Sequence, residues 1–433
     1  MLQNKYYKEK AHKYIPGGAH TYSRGDDQFP INVPSVLEKG EGAYVWDVDG
    51  NKYLDYGMGL RSVTVGYGYK AIADAAITQI YNGNGLTRAS KIEIDAAEAM
   101  INLIDGADMV KFAKNGSTVT SAAIKLSRAY TGRKYIARCT EHPFFSYDDW
   151  FIGSTVVDAG IPNETRALTL QFNYNDISSL EKLFGKYPNE IACVILEPAT
   201  NVEPHNNFLH EVQNLCHKNN SVFVLDEMIT GFRWHLNGAQ KYYDIIPDLS
   251  TFGKGMANGF SVAAIVGKKE IMELGGIIHD KEKVFLVSTT HGAEMSGLGA
   301  LVETIRTYNE LQLVDYFWNY GNKLKNGINK ISTEFGISEY FSIDGTAVSP
   351  AILTKDRNGT ISFEFRTLFL QEMIKNSILM PYIAISYSHG ENELNITLEA
   401  ARKALSVYRN ALDDGVDKYL EGPIVKPVFR KHN

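Results

Sequence analysis

The strongest constraint on what this chain can fold into is a series of short, mostly apolar runs separated by helix-length segments. Runs at 109–113, 135–138, 191–196, 222–225 and 262–266 have strand length and lack strict polar–apolar alternation. Strands of that kind are buried on both faces, as in a mostly parallel sheet covered by helices. The spacing between and before them predicts helices over 71–81, 94–104, 118–130 and 208–218. The fold class expected is therefore α/β, with a large, mostly parallel sheet domain wrapped in helices.

The flanks have a different texture. Up to about Pro34 the chain is rich in Gly, Pro and Tyr. Then Ala43-Tyr-Val-Trp-Asp-Val-Asp-Gly-Asn-Lys-Tyr-Leu-Asp-Tyr56 alternates on both sides of Asp49-Gly50, which marks a hairpin because Asp-Gly tolerates the positive φ of a tight turn. Beyond about residue 315 a helix over 314–335 leads to strands near 347–353 and 382–387 and a helix over 394–412. That pattern predicts three regions. Residues 1–60 form an arm and hairpin belonging to a smaller domain, 61–315 the large domain, and 316–433 a small α+β C-terminal domain.

Several function classes fall away on composition. The 44 Lys and Arg are outnumbered by 50 Asp and Glu, giving a net charge of −6, the opposite of a nucleic-acid footprint. No apolar run approaches the roughly 18 residues of a membrane span. Met1 to Lys13 lacks the apolar core of a secretory leader. The three cysteines, Cys139, Cys193 and Cys216, are too few and too scattered for a disulfide framework. A reducing cytoplasmic location is the expectation. His205, His210 and His217 have no zinc-site spacing, so no metal is expected.

Four features fall at or just after the carboxyl ends of predicted strands, where open α/β sheets bind ligands. Lys114-Asn-Gly-Ser-Thr118 joins a strand to a helix. Gly116 permits close approach, Ser117 and Thr118 can cap, and the helix start offers amides to a phosphate. Val224-Leu-Asp-Glu-Met-Ile-Thr-Gly-Phe-Arg233 ends a buried strand with two carboxylates on opposite faces. Each must be hydrogen-bonded or paired, with Arg233 a structural option. Thr251-Phe-Gly-Lys-Gly-Met-Ala-Asn-Gly-Phe260 sets one lysine between glycines; partial desolvation turns such an amine into a Schiff-base nucleophile. Ser288-Thr-Thr-His-Gly292 is a hydroxyl-rich loop able to donate to phosphate. Each alone also fits a turn, an ion pair or a surface loop.

Together they match the needs of pyridoxal phosphate: a phosphate cradle, a buried carboxylate for the pyridine nitrogen and a reactive lysine. In that reading Lys254 carries the cofactor, Asp226 holds the ring nitrogen protonated, and Gly116 and Ser117 bind the phosphate. Phe144 or Phe145, in Glu141-His-Pro-Phe-Phe-Ser-Tyr147, covers a ring face.

Nearly the whole chain resembles the class III, subgroup II aminotransferases of pyridoxal-phosphate fold type I, in the branch containing glutamate-1-semialdehyde 2,1-aminomutase. Several stretches carry the resemblance: Pro16-Gly-Gly, Gly40-Glu-Gly-Ala-Tyr-Val-Trp-Asp, Asn115-Gly-Ser with Ala123-Ile-Lys-Leu-Ser-Arg-Ala-Tyr-Thr-Gly-Arg133, and Asp226-Glu-Met-Ile-Thr-Gly-Phe-Arg233. So does Lys254, 28 residues after Asp226. The resemblance implies a homodimer with shared active sites, in which Thr289 and Thr290 reach the neighbouring subunit's phosphate. It implies cofactor contacts from Asn115, from Glu197 and from Met228 opposite Phe144. It also implies a substrate contact from Asn201 and, by match to an arginine of the N-terminal arm, from Arg24; Arg24 or Arg61 can clamp an anionic group bidentately.

The chain departs from the aminomutases at three places. Phe144-Phe-Ser146 stands where the family has Tyr-His-Gly, Gly57-Met-Gly-Leu-Arg-Ser62 replaces a Trp-bearing segment, and Thr289-Thr-His-Gly replaces a different hydroxyl loop. Related sequences with these variants are similar to aminotransferases of amino-sugar and surface-polysaccharide pathways. The implied reaction takes an amino group from L-glutamate and passes it to an aldehyde or ketone, with Lys254 shuttling the proton. The alternatives are an intramolecular aminomutase or other isomerase on the same cofactor, a non-catalytic relative, and a nicotinamide oxidoreductase. The last lacks its GxGxxG signature.

Overall fold

The computed structural model describes residues 2–292 and 294–432. Its contacts divide the chain into two units: Met1–Tyr69 with Asp315–Val428, and Lys70–Val314 with Phe429–Asn433.

In chain order the first unit begins with a helix, Leu2–Tyr14, followed by strands β1 (Leu37–Glu41), β2 (Tyr44–Asp47) and β3 (Lys52–Asp55). Tyr44 faces Leu54 and Trp46 faces Lys52 across the antiparallel β2–β3 pair. The connecting turn uses Gly50 at φ +84°, and Asp47 accepts the Asp49 and Asn51 amides there. The Asp-Gly signal in the sequence is thus a hairpin.

The second unit carries β4 (Met109–Ala113), β5 (Tyr135–Cys139), β6 (Thr169–Phe172), β7 (Ile191–Leu196), β8 (Val222–Asp226), β9 (Leu249–Phe252) and β10 (Ala263–Gly267). They form one sheet in the order β4-β10-β9-β8-β7-β5-β6. Pairing is parallel from β9 through β6, and β10 runs antiparallel to both β4 and β9. All residues of β7, β8, β9 and β10 are buried, which explains their mostly apolar sequence. Alternate residues feed separate cores. Cys193 and Ile195 pack with Val119, Ala123 and Leu126 of helix Gly116–Thr131. Val194 and Leu196 pack with Leu180, Phe208 and Val212 of helices Ile177–Lys186 and Phe208–Lys218. Helices Lys70–Tyr81, Lys91–Leu103 and Met295–Leu311 pack together in this unit.

Returning to the first unit, helix Leu313–Glu334 starts in the second unit's last residues and leads to β11 (Phe341–Asp344), β12 (Ala351–Thr354), helix Phe363–Lys375, β13 (Ile378–Leu379) and helix Glu391–Asp414. β11 pairs antiparallel with β12, and β13 joins β3 in parallel. Two sequence expectations are corrected here. The strand placed near 347–353 begins only at Ala351, after Pro350, and its partner β11 was not anticipated. The segment 382–387 is no strand: its amides bond singly, Ala384 N–H to Tyr56 O and Tyr387 N–H to Thr64 O, so no ladder forms.

Met58, Gly59, Leu60 and Arg61 all have positive φ, between +41° and +70°. Three of them carry a Cβ, so the turn is costly on its own. Asp55 compensates by accepting the Gly57 and Met58 amides at 2.7 and 3.0 Å. Tyr67 Oη accepts from Gly59 N–H and donates to Asp55, both at 2.7 Å.

Candidate active site

The parallel strands aim their carboxyl ends, and the loops that follow, at one region of the second unit. Asp226 ends β8 and is fully buried. Its Oδ1 accepts the Met228 amide at 2.9 Å and the Thr251 hydroxyl at 3.2 Å. Thr251 is its neighbour in register on β9. Both bonds fall on Oδ1, which leaves Oδ2 to accept from a ligand. Burial raises the carboxyl to about 6, partly offset by the Met228 amide and the Lys254 charge.

Glu227 turns the other way, as alternation along a strand requires. Its two oxygens take the Ala239 and Gln240 amides at 3.0 and 2.7 Å and the Thr230 hydroxyl. Burial lifts it to about 7. Glu227 is thus committed to holding the 238–240 segment, and Asp226 is the carboxylate open to chemistry.

Lys254 follows β9 and is half-buried. It begins a short turn at φ +38°, a left-handed conformation that residues with a side chain rarely adopt. Such strain concentrates at functional positions. The preceding Gly253 has no room for a side chain: a Cβ would lie 2.6 Å from Met228 Sδ. A Cβ on Gly116 would lie 2.8 Å from the same sulfur. Met228 itself is buried.

Helix Gly116–Thr131 supplies the cradle. The sequence suggested Ser117 or Thr118 as its cap; the structure gives the role to Asn115, whose Oδ1 accepts the Thr118 amide at 3.0 Å. The reason is geometric, since Asn115 is the last extended residue and its side chain reaches over the first turn. Ser117 is buried and its hydroxyl accepts the Tyr147 amide at 3.0 Å.

The loop after β5 settles the choice between two phenylalanines. Phe145 is 1% exposed and belongs to the core under the helix, with its carbonyl accepting from Thr120. Phe144 is 47% exposed and meets Phe151 edge-on at 5.7 Å. Phe144 is thus the more exposed of the two rings.

The remaining candidates are spread more widely. Glu197, one residue past β7, is buried. Asn201 is exposed, with its Oδ1 accepting from Thr200 at 3.3 Å. Thr289 and Thr290 are exposed. Thr289 lines a cavity of about 250 Å³ with Thr118, Ser121 and Lys125 of the cradle helix. Arg24 and Arg61 belong to the first unit. Arg24 is exposed in a single turn, Tyr22–Arg24. Arg61 lies 4.7 Å over the Tyr382 ring and donates to Ser349 Oγ at 2.9 Å and Ile383 O at 3.2 Å. Sequence reasoning missed Thr251, although its place three residues before Lys254 was a usable signal. It also missed His142, which sits in the Phe144 loop.

The donor set fits pyridoxal phosphate. An open carboxylate oxygen suits a protonated ring nitrogen, and a helix start suits the phosphate. Among the described residues no cluster suits a metal ion.

Comparison with known proteins bears on the same point. The class III aminotransferase family model matches residues 22–342. The chain is 31% identical over 414 residues to 3-aminobutyryl-CoA aminotransferase of Cloacimonas acidaminovorans (strain Evry), covering 93% of this chain and 97% of the relative. It is 30% identical over 423 residues to glutamate-1-semialdehyde 2,1-aminomutase of Francisella philomiragia subsp. philomiragia, covering 91% and 96%. Among solved structures, the internal aldimine form of the FumI protein of Sphingopyxis sp. MTA144 superposes with a TM-score of 0.87 at 27% identity, over 96% of this chain and 98% of that one. An omega-transaminase from Sphaerobacter thermophilus shares the fold, with a TM-score of 0.83 at 22% identity over 94% and 98%. The chain belongs to the class III aminotransferases, enzymes that use pyridoxal phosphate and small-molecule amino donors and oxo acceptors.

Proposed function

We propose that this enzyme takes an amino group from L-glutamate and transfers it to an aldehyde or ketone precursor of an amino sugar or surface polysaccharide. The observation that carries the transaminase reading is Asp226: buried, anchored through Oδ1 alone, and within electrostatic reach of Lys254.

In this reading the roles divide by position. Asp226 Oδ2 binds the ring N–H. Asn115, Gly116 and Ser117 hold the phosphate, joined by Thr289 and Thr290 in a homodimer. Phe144 and Met228 lie against the two ring faces, and Glu197 lines the site. When bound, pyridoxal phosphate supplies an electron sink for the carbon that loses its proton. Lys254 Nζ removes that proton from the donor and returns it to the acceptor-derived carbon, as general base and then general acid. Arg24, Arg61 and Asn201 recognise substrate, with a guanidinium on an anionic group. The cytoplasm is the proposed location; the three cysteines are buried and unbridged, and no described helix is long and apolar enough to cross a membrane.

Support for this acceptor class comes from the departures from the aminomutase pattern at Phe144-Phe-Ser146, Gly57–Ser62 and Thr289-Thr-His-Gly. The test is the visible spectrum of the holoenzyme before and after L-glutamate. A yellow band that bleaches with release of 2-oxoglutarate is expected. A band that glutamate leaves untouched would overturn the donor assignment and favour an intramolecular aminomutase.

A further inference from the structure

The loop 140–147 is fastened on three sides. Toward β6, the Thr140 amide donates to Phe172 O at 2.8 Å, and Glu141 accepts the Tyr174 amide at 2.9 Å. Toward the cradle helix, Ser117 Oγ accepts the Tyr147 amide and Thr120 Oγ1 donates to Phe145 O. Toward β7 one side chain does the fastening among the bonds of the described residues. His142 Nδ1 accepts the Glu197 backbone N–H at 2.9 Å, and both residues are buried.

That bond fixes the imidazole's state. An Nδ1 that accepts carries no proton, so the proton of the neutral ring is on Nε2. Nε2 is buried and has no hydrogen-bond partner among the described residues. Burial, reinforced by the Arg138 charge, pushes His142 down to about 3, so the ring stays neutral across the working range. The ring is clamped by Tyr174 at 4.9 Å and Phe145 at 5.9 Å. Tyr174 also donates to Pro198 O at 2.6 Å, so two side chains grip consecutive residues past β7. An apolar ring in its place would strand the buried Glu197 N–H, so the side chain does more than fill space.

We infer that His142 is a positioning residue for the cofactor site: by holding the Glu197 amide it fixes the Phe144 loop against the end of β7. Phe144 lies two residues beyond His142. The bond therefore sets the spacing between two groups placed around the cofactor, one on each of two adjacent strands' loops. The inference rests on the cofactor contacts assigned above to Phe144 and Glu197, and not on the identity of the donor or acceptor.

Two substitutions test it. His142→Phe keeps an aromatic ring of similar size and loses the acceptor. His142→Asn places an oxygen where Nδ1 stands. The readouts are the pyridoxal-phosphate dissociation constant from absorbance titration, kcat and KM for the amino donor, and thermal unfolding of the cofactor-free protein. His142→Phe should weaken cofactor binding about tenfold, the effect of losing one buried hydrogen bond. It should lower kcat more than it raises KM and lower the cofactor-free unfolding temperature only modestly, by what one unsatisfied buried amide costs, and His142→Asn should recover most of the affinity. Unchanged affinity in His142→Phe would overturn the inference. So would a loss that follows the unfolding temperature and is not recovered by Asn. A wild-type enzyme that binds cofactor and ignores L-glutamate would refute the donor assignment alone, and the affinity comparison would still decide the role of His142.

Discussion

Gly253 and Met228 meet so closely that a Cβ on the glycine would lie 2.6 Å from the methionine sulfur, and a Cβ on Gly116 would lie 2.8 Å from the same atom. The strand-end glycine, the cradle glycine and the residue after the two carboxylates thus share one contact. Gly253→Ala should overpack this point and cost roughly 1–3 kcal/mol in urea unfolding of the cofactor-free protein. Combining it with Met228→Ala should recover part of the loss, because the two substitutions act on one contact. Simple additivity in the double-mutant cycle would show that Met228 moves aside freely.

Asp226→Asn keeps the shape of the buried side chain and removes the charge that would pair with a ring N–H. Turnover should fall by about two orders of magnitude or more, as when one preorganised electrostatic contact is lost. The protein should still fold and bind cofactor. Lys254→Ala should abolish both turnover and the yellow band after reloading with pyridoxal phosphate. A persistent band in Lys254→Ala would place the reactive amine elsewhere.

Both acidic side chains at the end of β8 are harder to ionise when folded: burial raises Asp226 to about 6 and Glu227 to about 7, from 3.8 and 4.5. Between those ordinary values and the folded ones, the folded chain holds more protons than the unfolded chain. Stability of the cofactor-free protein should therefore fall as pH rises from about 4 to 7, with the two groups together contributing roughly a few kcal/mol. Denaturant unfolding at pH 5 and pH 8 measures this. Glu227→Gln should destabilise at both pH values, since Glu227 accepts amides with both oxygens, and it should flatten the difference. A slope unchanged by the substitution would mean that other groups set it.

The left-handed turn at Met58–Arg61 depends on Asp55 and Tyr67. Tyr67→Phe removes the acceptor of the Gly59 amide and a donor to buried Asp55. A loss of about 1–3 kcal/mol is expected, from two partners left unsatisfied. Because the turn presents Arg61, the same variant should raise KM for an anionic substrate if Arg61 binds one. An unfolding midpoint equal to wild type would show that the turn is held by other contacts.

What the sequence disclosed follows from how each feature is encoded. The buried strands β7 and β8 were legible because burial on two faces leaves no polar residue in Ile191–Leu196 or Val222–Leu225. The opposite duties of Asp226 and Glu227 were legible as strand alternation. The antiparallel direction of β10 was not, because a fully buried strand reads the same in either orientation. The residues alone left Phe144 and Phe145 open, since packing against Trp150 and Phe151 decides which ring turns inward, and only the resemblance singled out Phe144. His142 gave no signal, because its partner is a backbone amide and any residue could supply one.

The pairing of β13 with β3 bears on how the protein is made. Leu54 and Ile378 are partners in one sheet, yet all of Lys70–Val314 is synthesised between them. On the ribosome the second unit is complete, apart from its last few residues, before the chain that closes the first unit has emerged. Until then β1–β3 wait with an open edge, the arrangement that invites pairing with another chain. Slow elongation over the last quarter of the message would lengthen that exposure.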